Sequence, residues 1–257
     1  FSELGFKLTP RGYHTLGSIN HSMVFKNDYL ELIGTPSGKL NIRPELEKAE
    51  LGINGLVFRS NDITRTYLHL LNLKMSNTPP RNFSRPVEIN GKRKEAVFDT
   101  VSIEDNIFKA GRIYFCHHIT PNLVWIPEYR SHKNNVFEIA EITIIDSDPG
   151  SILKKINKIT DKIKIDQQEN FITVKTDDIK ISIHDINSYR VLYKNFGNEI
   201  NIRKEMFGSL VLKTSSLTFL RKINQLNFPN ILKFEYENKI QILLRRYNFI
   251  LEFIKNK

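Results

Sequence analysis

The feature that most constrains this chain is an internal repeat: a short apolar strand, a polar cap signal, a helix of about three turns, then segments of strand alternation. One copy runs Gly55-Leu56-Val57-Phe58-Arg59-Ser60, takes Asn61-Asp62 as cap, and continues with Ile63, Tyr67, Leu70 and Leu71 at helical spacing. A second covers 140–145, with Asp148-Pro149 as cap and first turn and Ile152, Ile156 and Ile159 on one helical face. A third covers 207–212, followed by Ser215-Ser216 and then Phe219, Ile223 and Leu226. Alternation with a period of two follows over 171–175, 179–183 and 232–237, where one face is apolar. Residues 1–5 read as the end of an amphipathic helix closed by Gly5, with strands expected over 6–9, 18–25 and 29–33. The pattern predicts an α+β fold of four βαβββ modules, the first lacking its opening strand because sequence before Phe1 is missing.

With 257 residues, 40% of them hydrophobic, the chain can bury roughly 70–75% of its unfolded surface, enough for one large domain or two smaller ones. The single cysteine, Cys116, allows no internal disulfide, and no apolar run approaches the roughly 18–20 residues that span a bilayer. A cytoplasmic protein with Cys116 reduced is therefore expected. A net charge of +10 raises the question of nucleic acid. The basic residues are interspersed with acidic ones, however, and the one compact run, Lys92-Arg93-Lys94, follows an Asn90-Gly91 turn signal and reads as a solvated hairpin tip. No nucleic-acid partner and no membrane are expected.

The residues most able to carry chemistry cluster in 113–134. If 113–119 is a strand, Ile113, Phe115, His117 and Ile119 share one face, and Tyr114, Cys116 and His118 share the other with Thr120. His118 then belongs to the polar face and His117 to the core. Trp125, His132 and Asn134 follow on a proline-bearing stretch of the kind that carries binding residues. The same face test over 18–25 groups Ser18, Asn20 and Ser22, which makes Asn20 a pocket candidate and His21 structural. Both readings stay open for His14, in a loop, and for Glu31, in a strand between Tyr29 and Ile33. His69 and His184 read as structural.

These modules, with a Leu-Glu pair in the closing strand, resemble the vicinal oxygen chelate superfamily. More narrowly, Arg11-Gly12-Tyr13-His14, Gly17-Ser18-Ile19-Asn20, Tyr29-Leu30-Glu31-Leu32-Ile33, the block from Cys116 to Trp125, and His132-Lys133-Asn134 resemble the glyoxalase-like domain family. The chain departs from that family at Ser18, where it tends to have threonine, and at Asn135, where it tends to have glycine. The resemblance implies that modules pair and curl their mixed sheets into cups: 1–133 forms the first pair, with the working cup, and 134–257 the second, which supports it or forms a homodimer face. It also implies a divalent metal held by histidine and glutamate. Glu31 matches the closing-strand ligand and His118 is a second candidate, but 55–60, 140–145 and 207–212 hold no opening-strand histidine.

Two functions follow from the resemblance. One is a metal-dependent lyase, isomerase or dioxygenase acting on a small oxygen-rich metabolite, with Glu31, His118 and His132 catalytic and Asn20, His14, Tyr114, Thr120, Trp125 and Asn134 contacting substrate. The other is a non-catalytic, resistance-type protein that sequesters a small molecule in an apolar cup.

Overall fold

The computed structural model describes residues 1–38, 42–160, 163–177, 179–223 and 228–256. Two compact units emerge. Unit 1 comprises 1–50, 55–107 and 112–133; unit 2 comprises 51–54, 108–111 and 134–257. Among the described residues, no helix is long and apolar enough to cross a membrane.

In unit 1, β1 (Gly12–Tyr13), β2 (Ile19–Val24) and β3 (Tyr29–Gly34) form an antiparallel three-stranded sheet. After the single turn α1 (Pro44–Glu47) comes a complete module: β4 (Gly55–Arg59), α2 (Ile63–Asn72), β5 (Arg81–Ile89), β6 (Lys92–Ser102) and β7 (Arg112–His118). Its strands are ordered β4-β7-β6-β5, with the opening strand parallel to the closing one. Asp62 caps α2 by accepting from Arg65 N, as its place before the periodic apolar run predicts. Asn90 (φ 53°) and Gly91 (φ 71°) both take left-handed backbone, the geometry that matches the twist of a two-residue hairpin, and Lys92-Arg93-Lys94 are exposed beside it.

Unit 2 holds two further modules fused into one sheet. β8 (Val136–Ile145), α3 (Pro149–Ile159), β9 (Lys164–Gln167), β10 (Phe171–Lys175) and β11 (Lys180–His184) make one; β12 (Met206–Thr214), α5 (Thr218–Arg221), β13 (Ile231–Glu235), β14 (Lys239–Leu244) and β15 (Phe249–Lys255) make the other. Antiparallel pairing of β8 with β12 joins them in the order β13-β14-β15-β12-β8-β11-β10-β9. In each module the opening strand again runs parallel to the closing strand. Between β11 and β12 lie α4 (Ile186–Leu192) and a 3-10 segment, Lys194–Glu199. Their Tyr189, Tyr193 and Phe196 pack with Ile145, Met206, Leu243 and Ile250. The Tyr189 hydroxyl donates to Gly208 O, and the Tyr193 hydroxyl donates to Ser209 Oγ, which donates to Thr143 Oγ1. Unit 2 thus fills part of one sheet face with its own aromatic side chains.

Several local expectations need correction. Residues 6–9 form no regular strand: Lys7 N donates to His132, and Thr9 touches β2 alone, its N donating to Ser22 O and its Oγ1, in place of its carbonyl, accepting from Ser22 N. Residues 2–4 form a 3-10 turn closed by Gly5 at φ 84°. The third predicted helix is one turn long; Leu217 at its N-cap has no side-chain acceptor to offer, and Thr218 and Phe219 are weak helix formers. Leu226 lies outside the described residues. Asn135, at the family's glycine position, has φ 55°, a conformation asparagine tolerates better than most residues.

Candidate functional site

The two sheets of unit 1 enclose a common interior. On one side Thr15 N donates to Ser84 O, stitching the β1 end of the first sheet to β5. On the other, Tyr29 of β3 reaches across to His118 of β7, hydroxyl to Nε2 at 3.3 Å. Strand parity fixes what faces inward. Tyr29 and Glu31 of β3 share a face with Ser22 and Asn20 of β2. On the larger sheet His118 and Cys116 share a face with Phe98, and Phe98 stands across from Phe83, two residues from Arg85.

At one end of this interior sits a carboxyl–imidazole pair. Asn20 Nδ2 donates to Glu31 Oε1 at 2.5 Å, and His14 Nε2 lies 3.9 Å from the same oxygen. Desolvation raises Glu31 above the ordinary carboxylate pKa, although the Asn20 hydrogen bond and the nearby Arg85 and Arg43 oppose the shift. His14 falls from 6.5 to about 4, through desolvation first and then the charges of Arg85 and Arg43, and is neutral at physiological pH. Its Nδ1 contacts Ser18 Oγ at 2.8 Å, and Arg43 Nη1 donates to that oxygen at 3.1 Å. Ser18 is 1% exposed, so its hydroxyl proton needs a nearby acceptor, and His14 Nδ1 is that acceptor. The remaining proton then sits on His14 Nε2, facing Glu31.

The other end is aromatic. His118 packs edge-on against Trp125 (4.9 Å), Phe98 (5.6 Å) and Tyr29 (6.0 Å). Desolvation, then Arg59 and His117, lower His118 to about 4. The Cys116 thiol, 3.9 Å from His118 Nε2, is pushed up to about 12 by burial and stays protonated. Arg59 lies over the Trp125 ring at 5.3 Å. His117 pairs across the ladder with Asp99, on the opposite strand face from His118.

Three polar atoms in this region are buried without a hydrogen-bond partner: Asn20 Oδ1, His118 Nδ1 and Trp125 Nε1. Arg85, absent from the sequence-based candidates, is 6% exposed on β5 opposite Ala96. A Cβ on Gly12 would meet Asn20 Oδ1 at 2.1 Å and Arg85 Cδ at 3.0 Å, so glycine is what lets these two side chains pack there. The signal for Arg85 was a charge on the apolar face of an alternating strand, between Phe83 and Val87.

Several expected site residues hydrogen-bond to other parts of the protein. His132 accepts from Lys7 N at Nδ1 (2.9 Å), contacts Val24 O at Nε2 (2.9 Å) and packs between Phe6 and Phe25. Both its nitrogens are engaged by backbone, which leaves none for metal or substrate. Thr120 Oγ1 accepts from Val97 N, Asn134 Oδ1 accepts from Val136 N, and the Tyr114 hydroxyl accepts from Arg112. The donor set also fails to fit a metal centre. Among the described residues no three histidine, cysteine, aspartate or glutamate side chains gather, His118 Nε2 faces the Tyr29 hydroxyl, and the arginines near Glu31 and His14 disfavour a further cation.

Among curated proteins none matches the chain by sequence. Solved structures share its fold, among them the following three. A hypothetical protein from Staphylococcus aureus superimposes with a TM-score of 0.68 at 15% identity, covering 98% of this chain and 91% of the other. A mutant 4-hydroxymandelate synthase from Streptomyces coelicolor gives 0.52 at 10% identity, over 96% and 85%. A mutant homoprotocatechuate 2,3-dioxygenase from Brevibacterium fuscum gives 0.53 at 10% identity, over 94% and 62%. The family pattern described as a glyoxalase-like domain matches residues 1–160. With that match over more than half of its length, and with modules whose opening and closing strands run parallel, the chain belongs to the glyoxalase-like domain family.

Proposed function

We propose that unit 1 binds a small oxygen-rich metabolite between its two sheets and that Glu31 moves a proton on it. The observation that carries this reading is the Glu31–His14 pair. A carboxyl with a raised pKa, fixed by Asn20 and facing a neutral imidazole whose tautomer Ser18 sets, is a candidate for general acid–base work. Ionised, Glu31 removes a proton from carbon or oxygen and becomes neutral; His14 Nε2–H then donates to the substrate oxygen on which charge develops. Tyr29, His118 and Trp125 provide the wall against which the body of the ligand rests. His132, Thr120 and Asn134 are scaffold in this reading, and no step requires a metal ion.

Solvent-deuterium exchange followed by NMR tests it, using a panel of small 2-oxo and 2-hydroxy compounds. A compound that is turned over should exchange at the carbon beside its carbonyl, and Glu31→Gln should slow this about 10²-fold or more. Exchange that survives the substitution would sink the assignment. A second reading, sequestration without chemistry, is favoured by the aromatic wall of Tyr29, Phe98 and Trp125. It predicts binding with no exchange on any compound, and Glu31→Gln binding as tightly as the native protein.

A further inference from the structure

Arg85 presents an unresolved physical problem inside unit 1. Arg85 as a residue is 6% exposed, and a guanidinium taken so far out of water costs several kcal/mol of desolvation unless hydrogen bonds and an opposite charge compensate. Beyond its backbone place in the β5–β6 ladder, the Arg85 side chain makes no hydrogen bond or ion pair with any described residue. The nearest carboxyl is Glu31, whose Oε1 is taken by Asn20 and which acts on Arg85 only through space. Arg85 nitrogens are also not among the sealed, partnerless polar atoms, although this residue is buried. They therefore keep some contact with solvent.

We propose that Arg85 anchors the carboxylate of the ligand, so that unit 1 selects small carboxylic acids with a planar apolar body over neutral compounds and phosphate esters. The inference rests on reading the unit 1 interior as the ligand site. The planar fork of a guanidinium matches the two oxygens of a carboxylate. One guanidinium balances one carboxylate; a phosphate dianion would leave excess negative charge beside Glu31. Phe83, on the face of β5 that carries Arg85, stacks with Phe98 at 5.1 Å, and Phe98 meets His118. That row of rings gives a flat apolar body a surface to lie on, running from the guanidinium towards the partnerless Trp125 Nε1 and His118 Nδ1.

Calorimetric titration of the full chain with phenylpyruvate, phenylacetate, 2-phenylacetamide and phenyl phosphate tests the proposal. The two carboxylates should bind, and the amide and the phosphate ester should bind at least about tenfold more weakly, the lower range for losing a charge-assisted contact. Arg85→Met should remove the preference for carboxylate over amide, and Arg85→Lys, which keeps the charge but not the fork, should weaken carboxylate binding. Without ligand, Arg85→Met should melt at a higher temperature than the native protein, because an unpaired buried charge has been replaced by an apolar chain. A residue with a structural role would give the opposite shift. Equal binding of amide and carboxylate, preference for the phosphate ester, no binding of any probe, or a lower melting temperature for Arg85→Met would each overturn the proposal. Glu31→Gln separates the two claims: it should keep Arg85-dependent carboxylate binding while losing proton exchange. Exchange lost in Glu31→Gln with binding indifferent to Arg85 rejects only the anchor; anchoring intact with exchange unaffected by Glu31→Gln rejects only the acid–base role.

Discussion

At the residue scale, the groups around Glu31 carry a cost in stability. Burial raises the Glu31 pKa, so its carboxyl adds stability only while protonated, and that contribution is lost as pH rises through the folded-state pKa. Glu31→Gln keeps an acceptor for Asn20 and removes the buried charge. Its melting temperature should exceed that of the native protein at pH 7, with a difference that grows with pH; thermal unfolding across a pH series measures it. His14 has the opposite sign. Its pKa drops from 6.5 to about 4, so between these values the unfolded chain binds a proton that the folded chain refuses. Stability is therefore fully present above pH 6.5 and falls as pH drops towards 4, by on the order of 3 kcal/mol for this side chain, which is 6% exposed. His14→Gln should make the acid limb of a denaturant-midpoint-against-pH curve shallower. A limb of unchanged steepness would show that His14 is not the titrating group.

At the element scale, the modules depend on caps and close approaches that are checked one at a time. Asp148 caps α3 by accepting from Ser151 N at 2.9 Å, with Pro149 in the first turn. Asp148→Ala should cost about 1 kcal/mol, read as a lowered urea midpoint with an unchanged slope. The insertion between β11 and β12 relies on Gly208, where a Cβ would meet the Tyr189 ring at 2.8 Å and Ile145 Cδ1 at 2.9 Å. Gly208→Ala should destabilise by about 1–3 kcal/mol through overpacking and alter the near-ultraviolet circular dichroism of Tyr189 and Tyr193. A variant with native stability and spectrum would mean that the tyrosines can shift aside.

At the scale of the whole molecule, the module is the unit that the sequence states most clearly. Strand, cap and helix in 55–71 and 140–159 were legible because each signal is local: alternation, an aspartate before an apolar period, a proline in the first turn. The Asn90-Gly91 hairpin was legible for the same reason, since its backbone conformation is a property of two residues. The repeat also carried the family, because four copies of one module admit few other architectures. Local signals could not say which polar side chains find backbone partners from distant parts of the chain. His132 looked like a binding residue in a proline-bearing loop, yet Lys7 N, 125 positions away, and Val24 O take both its nitrogens. Thr120 Oγ1 likewise accepts from Val97 N, 23 positions away. Arg85 stood in plain view on β5, but its isolation from every described partner is a property of the folded interior. Sequence alone determined the module, the family and the inward faces of the strands, since periodicity and capping act over a few residues. Only the tertiary structure decided which inward groups are satisfied and which are left without a partner, because hydrogen-bond satisfaction depends on contacts between residues far apart in the chain.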